Sequence, residues 1–127
     1  MTDQLIERFF KAADALNPDI FMQVLAREPT WQFANEPTLY GGEAVRGAYN
    51  SLCEYVVEMR HRIVGHWERA DCSTVETRVR YVDRFGRTFE FPGCTLLFFE
   101  SELAREVRIF VDNHAMFIPP GVSVGNN

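Results

Sequence analysis

The chain has 127 residues, enough for one domain with a buried core, and its composition, 46% hydrophobic and 24% charged, excludes a disordered or fibrous protein. A net charge of −5 argues against nonspecific nucleic-acid binding, which needs a basic surface to displace counterions. No apolar run approaches the roughly 20 residues that span a bilayer.

The first predicted helix starts at Thr2 or Asp3, either of which can cap it. Leu5, Ile6, Phe9, Phe10, Ala13 and Leu16 then follow helical spacing. Asn17-Pro18 ends this helix and opens another, because Asn caps well and Pro suits the first turn. Ile20, Phe21, Val24 and Leu25 line the second helix, and Pro29 stops it. Trp31 to Ala34 reads as a short strand, and Asn35 to Gly42 as a loop. A third helix is expected from about Gly42 to Val57, on the spacing of Val45, Tyr49, Leu52, Cys53 and Val56.

The rest reads as β structure. Strands are expected over Met59–Arg69, Val75–Asp83, Thr88–Glu100 and Ala104–Asp112, with a hairpin turn at Arg84-Phe85-Gly86-Arg87. Pro92-Gly93 should interrupt the third of these with a bulge, since Pro cannot donate to a ladder. Leu96–Phe99 is apolar on both faces, as a central strand requires. Residues 1–118 form the expected domain and 119–127, rich in Pro, Gly and Asn, a mobile tail. Helices segregated from strands indicate an α+β fold. The last strand sets Val107, Ile109 and Val111 against Arg108, Phe110 and Asp112; a second molecule covering the apolar surplus predicts a homodimer through the sheet.

The 11 Phe, 4 Tyr and 2 Trp exceed what a small core needs for filling, and rigid aromatic walls are common around apolar ligands. Cys53, Cys72 and Cys94 are an odd, scattered set without paired spacing. They form neither a disulfide framework nor a zinc site and read as reduced thiols of a cytoplasmic protein, with no N-terminal signal ahead of the first helix. The three His have no matched ligand cluster and there is no Gly-rich phosphate loop, so neither metal nor cofactor is expected.

Several segments carry a family resemblance. Leu5-Ile6-Glu7-Arg8-Phe9-Phe10 through Ala13-Asp14-Ala15 resembles the first helix of SnoaL-like polyketide cyclases, ketosteroid isomerases and scytalone dehydratases. Tyr40-Gly41-Gly42-Glu43-Ala44-Val45 resembles their helix start, and Asp83-Arg84-Phe85-Gly86-Arg87 and Phe110-Val111-Asp112-Asn113-His114 resemble their C-terminal half. The resemblance covers about residues 4 to 117. It implies the cone-shaped nuclear transport factor 2-like (cystatin-like) fold: three N-terminal helices packed on a curved, mostly antiparallel sheet, commonly dimeric.

The same resemblance narrows the chemistry. The isomerase machinery of a carboxylate base and a Tyr/protonated-Asp oxyanion pair falls on Phe33, Phe9 and Thr95, none of which can do that work. Asn35, Arg78 and Asp112 resemble epoxide hydrolase residues, but the second Asp of that set falls on Arg80. The dehydratase pattern survives better. His61 resembles a catalytic His, and Asp14 the carboxylate that orients it; such a pair fixes the tautomer and stabilises the imidazolium. Ala13 occupies one of the dehydratase Tyr positions, leaving Tyr40, Tyr49 or Tyr81 to substitute. Strand parity groups His61 with Ile63 and Trp67 and puts His66 on the opposite face. Arg78 and Arg80 share a face with Glu76, where cross-strand ion pairing competes with a pocket role.

The expected site is therefore Asp14, His61 and Asp112 for acid–base chemistry. Phe9, Trp31, Phe33, Asn35, Arg78, Tyr81, Phe98 and Phe110 are expected around a small hydrophobic molecule. The expected function is a cofactor-free lyase or isomerase, of dehydratase or cyclase type, acting on a hydrophobic cyclic or polyketide-like compound. The alternative is a ligand-binding or dimerisation module of the same fold without chemistry.

Overall fold

A computed structural model describes residues 2–122. The expected tail at 119–127 therefore lies partly outside the described residues. Helix α1 (Thr2–Asp14) buries Ile6, Phe9, Phe10, Ala12 and Ala13, the positions its spacing selects. Asn17 then caps the short helix α2 (Pro18–Met22): its side-chain oxygen accepts from the backbone N–H of Asp19 and Ile20 at 3.0 and 3.3 Å. Strands β1 (Leu25–Phe33) and β2 (Leu39–Tyr40) precede helix α3 (Gly42–Tyr55). Strands β3 (Val56–Arg69), β4 (Cys72–Asp83), β5 (Thr88–Glu100) and β6 (Leu103–Val111) follow, and a 3-10 turn over His114–Phe117 closes the described chain.

The six strands form one sheet in the order β2-β1-β6-β5-β4-β3. All neighbours are antiparallel except β1 and β6, which are parallel. The three helices precede the four long strands and cover one face, so the fold is α+β. On that inner face β4 alternates strictly: Ser73, Val75, Thr77, Val79, Tyr81 and Asp83 are buried, and the residues between them turn outward.

Three expectations about elements are corrected. The second helix ends at Met22 rather than Pro29, because Leu25 is drawn into the sheet as the partner of Ala104 and the Ala104 N–H donates to the Val24 carbonyl. Tertiary pairing here overrides a local helical pattern. The ladder passes through Pro92 and Gly93 without a register shift, opposite Arg78 and Thr77. Pro92 lies where β5 has outrun β6, whose pairing ends at Gly93, so it sits on a locally open edge that tolerates a missing donor. The bulge that matters is on β3, between Ile63 and Gly65. It reverses parity beyond it: His66 and Glu68 pair with inward Val75 and Ser73, and Trp67 with outward Thr74. His66 thus shares the His61 face, and Trp67 does not.

Asp83 anchors the β4–β5 hairpin. One carboxylate oxygen accepts the backbone N–H of Phe85 and Arg87 at 3.0 and 2.9 Å, and the other accepts Arg87 Nε at 2.8 Å. Burial works against its ionisation, but these donated bonds and the Arg87 charge outweigh it and hold the Asp83 carboxyl below its ordinary range. Gly86 takes the left-handed conformation the turn requires, at φ 83°.

Candidate active site

Asp14 stands at the C-terminal end of α1, where the helix dipole disfavours a carboxylate. Two bonds to β3 compensate. Asp14 Oδ2 accepts the backbone N–H of His61 at 2.7 Å, and Asp14 Oδ1 lies 2.6 Å from His61 Nδ1. One carboxylate therefore fixes both the main chain and the ring of the same residue. With Asp14 ionised, Nδ1 carries the proton and Nε2 is left with its lone pair, the nitrogen free for chemistry. Both side chains are largely buried, at 15% and 19% exposure, so the pair is shielded from bulk water. The Phe10 ring packs 4.8 Å from the imidazole.

His61 forms part of the wall of an apolar cavity between the helices and the sheet. Phe9, Phe10, Phe21, Trp31 and Phe33 make an aromatic side. The sheet side carries the polar groups: His61, Tyr81, Thr77 and Thr95. Tyr81 is buried, and desolvation followed by the nearby Asp14 charge raises its hydroxyl well above the ordinary range. It stays a neutral donor at any working pH. Tyr49 is raised as well, by burial and then by Cys53, but its hydroxyl is committed to the Ala13 carbonyl at 2.6 Å. The cavity measures about 50 Å³, room for a few waters and less than the ~150 Å³ that holds a benzene ring, so a cyclic ligand requires the lining side chains to move. On its other side the dyad opens to a groove lined by Glu7, Lys11, Ala15, Ile20 and Ile63. His61 and Phe10 line both spaces and so stand between cavity and solvent.

Of the expected site residues the structure brings together Asp14, His61, Phe9, Trp31, Phe33 and Tyr81. Five others lie elsewhere. Asp112 is exposed past the end of β6 and accepts the His114 N–H at 3.2 Å. Asn35 is exposed in the β1–β2 loop. Arg78 is on the outer face, paired with Glu90 at 3.2 Å. Phe98 is on the same face, beneath the guanidinium groups of Arg105 and Arg108 at 5.5 and 5.0 Å. Phe110 is also outward and 49% exposed. The cause is parity: each of these strand residues alternates with an inward neighbour, Val79, Leu97 or Ile109. The three residues that resemble an epoxide hydrolase set are therefore not assembled in the cavity. Thr77, which faces it, went unmarked in the sequence, although its parity with Val79 and Tyr81 carries that signal.

A second carboxylate–imidazole pair joins the other end of α1 to β3: Asp3 Oδ1 lies 3.1 Å from His66 Nε2. With Glu68 these residues bring their ligand atoms within 4.8 Å of one another. The Asp3 side chain is 74% exposed, so this is a carboxylate–imidazole contact at the surface. The three cysteines are free. No helix among the described residues is long and apolar enough to cross a membrane.

The SnoaL-like domain family model matches residues 6–107, and the chain belongs to that family. Solved structures agree on the fold. A SnoaL-like polyketide cyclase of Jannaschia sp. CCS1 superposes with a TM-score of 0.77 at 17% identity, covering 92% of each chain. A ketosteroid isomerase-like protein from Catenulispora acidiphila, crystallised with trimethylamine, gives 0.75 at 18% identity over 84% of this chain and 83% of that one. An epoxide hydrolase-like protein of M. tuberculosis gives 0.75 at 14% identity, over 90% and 84%. No curated protein sequence matches the chain. The fold is thus the nuclear transport factor 2-like one.

Proposed function

We propose that this SnoaL-like protein is a cofactor-free lyase or isomerase in which Asp14 orients His61 as general base and acid toward a small, largely apolar carbonyl compound. The observation that carries this reading is the pair of hydrogen bonds between Asp14 and His61, at 2.6 Å to Nδ1 and 2.7 Å to the backbone N–H, on the wall of an apolar cavity. His61 Nε2 removes a proton α to the carbonyl. Tyr81 donates a hydrogen bond to the oxygen on which negative charge develops, and its raised pKa keeps that proton in place. Return of the proton from the imidazolium to another carbon completes an isomerisation, or its delivery to a leaving hydroxyl completes a dehydration. An aromatic wall that excludes water strengthens each of these interactions. A homodimer through the outer sheet face belongs to the same proposal; Val107, Ile109 and Val111 face inward and cannot carry it, and its support is Phe110 and Trp67, 49% and 60% exposed.

The reaction can be tested without the natural substrate. Cyclohexanone in D₂O exchanges its α-protons when a base removes them, and NMR follows the loss. We expect exchange catalysed by the protein to fall roughly 100-fold or more in His61→Ala, in line with removal of a general base. Retained binding of the ketone with unchanged exchange in His61→Ala would refute the catalytic reading and leave a ligand-binding module.

A further inference from the structure

The inner face holds two hydroxyls that the proposed chemistry does not use. Thr77 and Thr95 are 2% and 3% exposed and line the cavity. Among the described residues, the side-chain hydrogen bonds beside this cavity are those of Asp14, His61 and Tyr49. A hydroxyl on a cavity wall can both donate to and accept from a ligand oxygen.

The register fixes where they lie. His61 faces Val79, so Tyr81 and Thr77, two residues to either side of Val79, are its diagonal neighbours on β4. Thr77 faces Gly93 and Val75 faces Thr95, which makes Thr95 the diagonal neighbour of Thr77 on β5. Diagonal neighbours on one sheet face stand roughly 7–8 Å apart between Cα atoms. The polar groups thus form an oblique strip, Tyr81–His61–Thr77–Thr95, opposite the aromatic wall. Gly93 keeps the Thr77 end open: a Cβ there would sit 3.2 Å from Thr77 Oγ1.

We propose that Thr77 and Thr95 form a second polar subsite, and that the substrate is a small cyclic compound with two oxygen functions. One is the carbonyl presented to His61 and Tyr81; the other, a hydroxyl or second carbonyl across the ring, is seated between the two threonines. This rests on the reading of His61 and Tyr81 as the reacting end, but it makes a separate claim about binding.

The test compares cyclohexanone with 4-hydroxycyclohexanone, which adds one hydroxyl across the ring, by ligand-observed NMR titration. The wild-type protein should bind the hydroxy ketone about tenfold more tightly, the worth of a good buried hydrogen bond. Thr77→Val and Thr95→Val keep the shape and remove the oxygen. Each should abolish or invert the preference, read as the ratio of the two ketones' affinities. Gly93→Ala should weaken the hydroxy ketone selectively. A preference retained in both valine variants, equal binding of the two ketones by the wild type, or failure of both to bind would overturn the subsite. Failure of the catalytic reading appears differently, as unchanged α-proton exchange in His61→Ala, and leaves this binding comparison intact.

Discussion

In the proposed mechanism three side chains at the dyad divide the work by environment. Asp14 is held by two donors from one residue and cannot rotate without releasing both. Asp14→Asn keeps the shape but removes the charge-assisted bond, which is worth roughly 1.5–3 kcal/mol, so the α-proton exchange rate should fall about 10- to 100-fold. Tyr81→Phe should cost roughly 100- to 1,000-fold if its hydroxyl meets the developing oxyanion, with the dyad itself undisturbed. NMR-monitored exchange measures both, and a full-rate Tyr81→Phe variant would remove Tyr81 from the proposed mechanism. The sequence brought Asp14 and His61 forward as a candidate pair because each sits in a segment resembling the dehydratases, and the structure puts the two in contact. Asp112, Asn35 and Arg78 carried a different resemblance, to epoxide hydrolases, and their placement depended on strand facing and loop path, which one sequence does not disclose.

Among the elements, α1 and β3 matter most. Asp3 and Asp14 are eleven residues apart on a helix, about 16 Å; His66 and His61 are five apart on a strand, again about 16 Å. The two elements are therefore pinned at both ends by matching Asp–His contacts, the exposed one worth only about 0–1 kcal/mol. Reading parity straight along β3 misplaced His66 and Trp67, since the extra residue at the Ile63–Gly65 bulge has no signal in hydrophobic alternation. The Asp83-Arg84-Phe85-Gly86-Arg87 hairpin was legible because turn chemistry is local. Its anchor makes a pH prediction. The Asp83 carboxyl titrates lower in the folded chain than in the unfolded one, so its stabilisation is complete above about pH 4 and is lost as pH falls through the lowered value. Thermal melts should show Asp83→Asn losing this acid-side slope; a wild-type slope in the variant would contradict the anchor role.

For the whole molecule, the α+β class followed from helices preceding strands, and the six-stranded order with its parallel β1–β6 pair did not, since pairing partners are distant in sequence. The composition gave the aromatic wall but not its closeness: about 50 Å³ of space means that cyclic ligands must displace lining side chains. The outer face predicts assembly. Light scattering should give twice the chain mass, and Phe110→Glu, which replaces an exposed apolar side chain with a charge, should give a monomer of unchanged fold; a wild-type monomer would remove the dimer from the account. The central claim is that the Asp14–His61 pair faces a ligand in this cavity. A crystal structure with bound 4-hydroxycyclohexanone tests it most directly. The account predicts the ring against Phe9, Phe10 and Trp31, its carbonyl side within hydrogen-bond reach of His61 Nε2 and Tyr81, and Asp14 still on Nδ1. A ligand bound outside the cavity, or an Asp14 carboxylate turned away from His61, would contradict it.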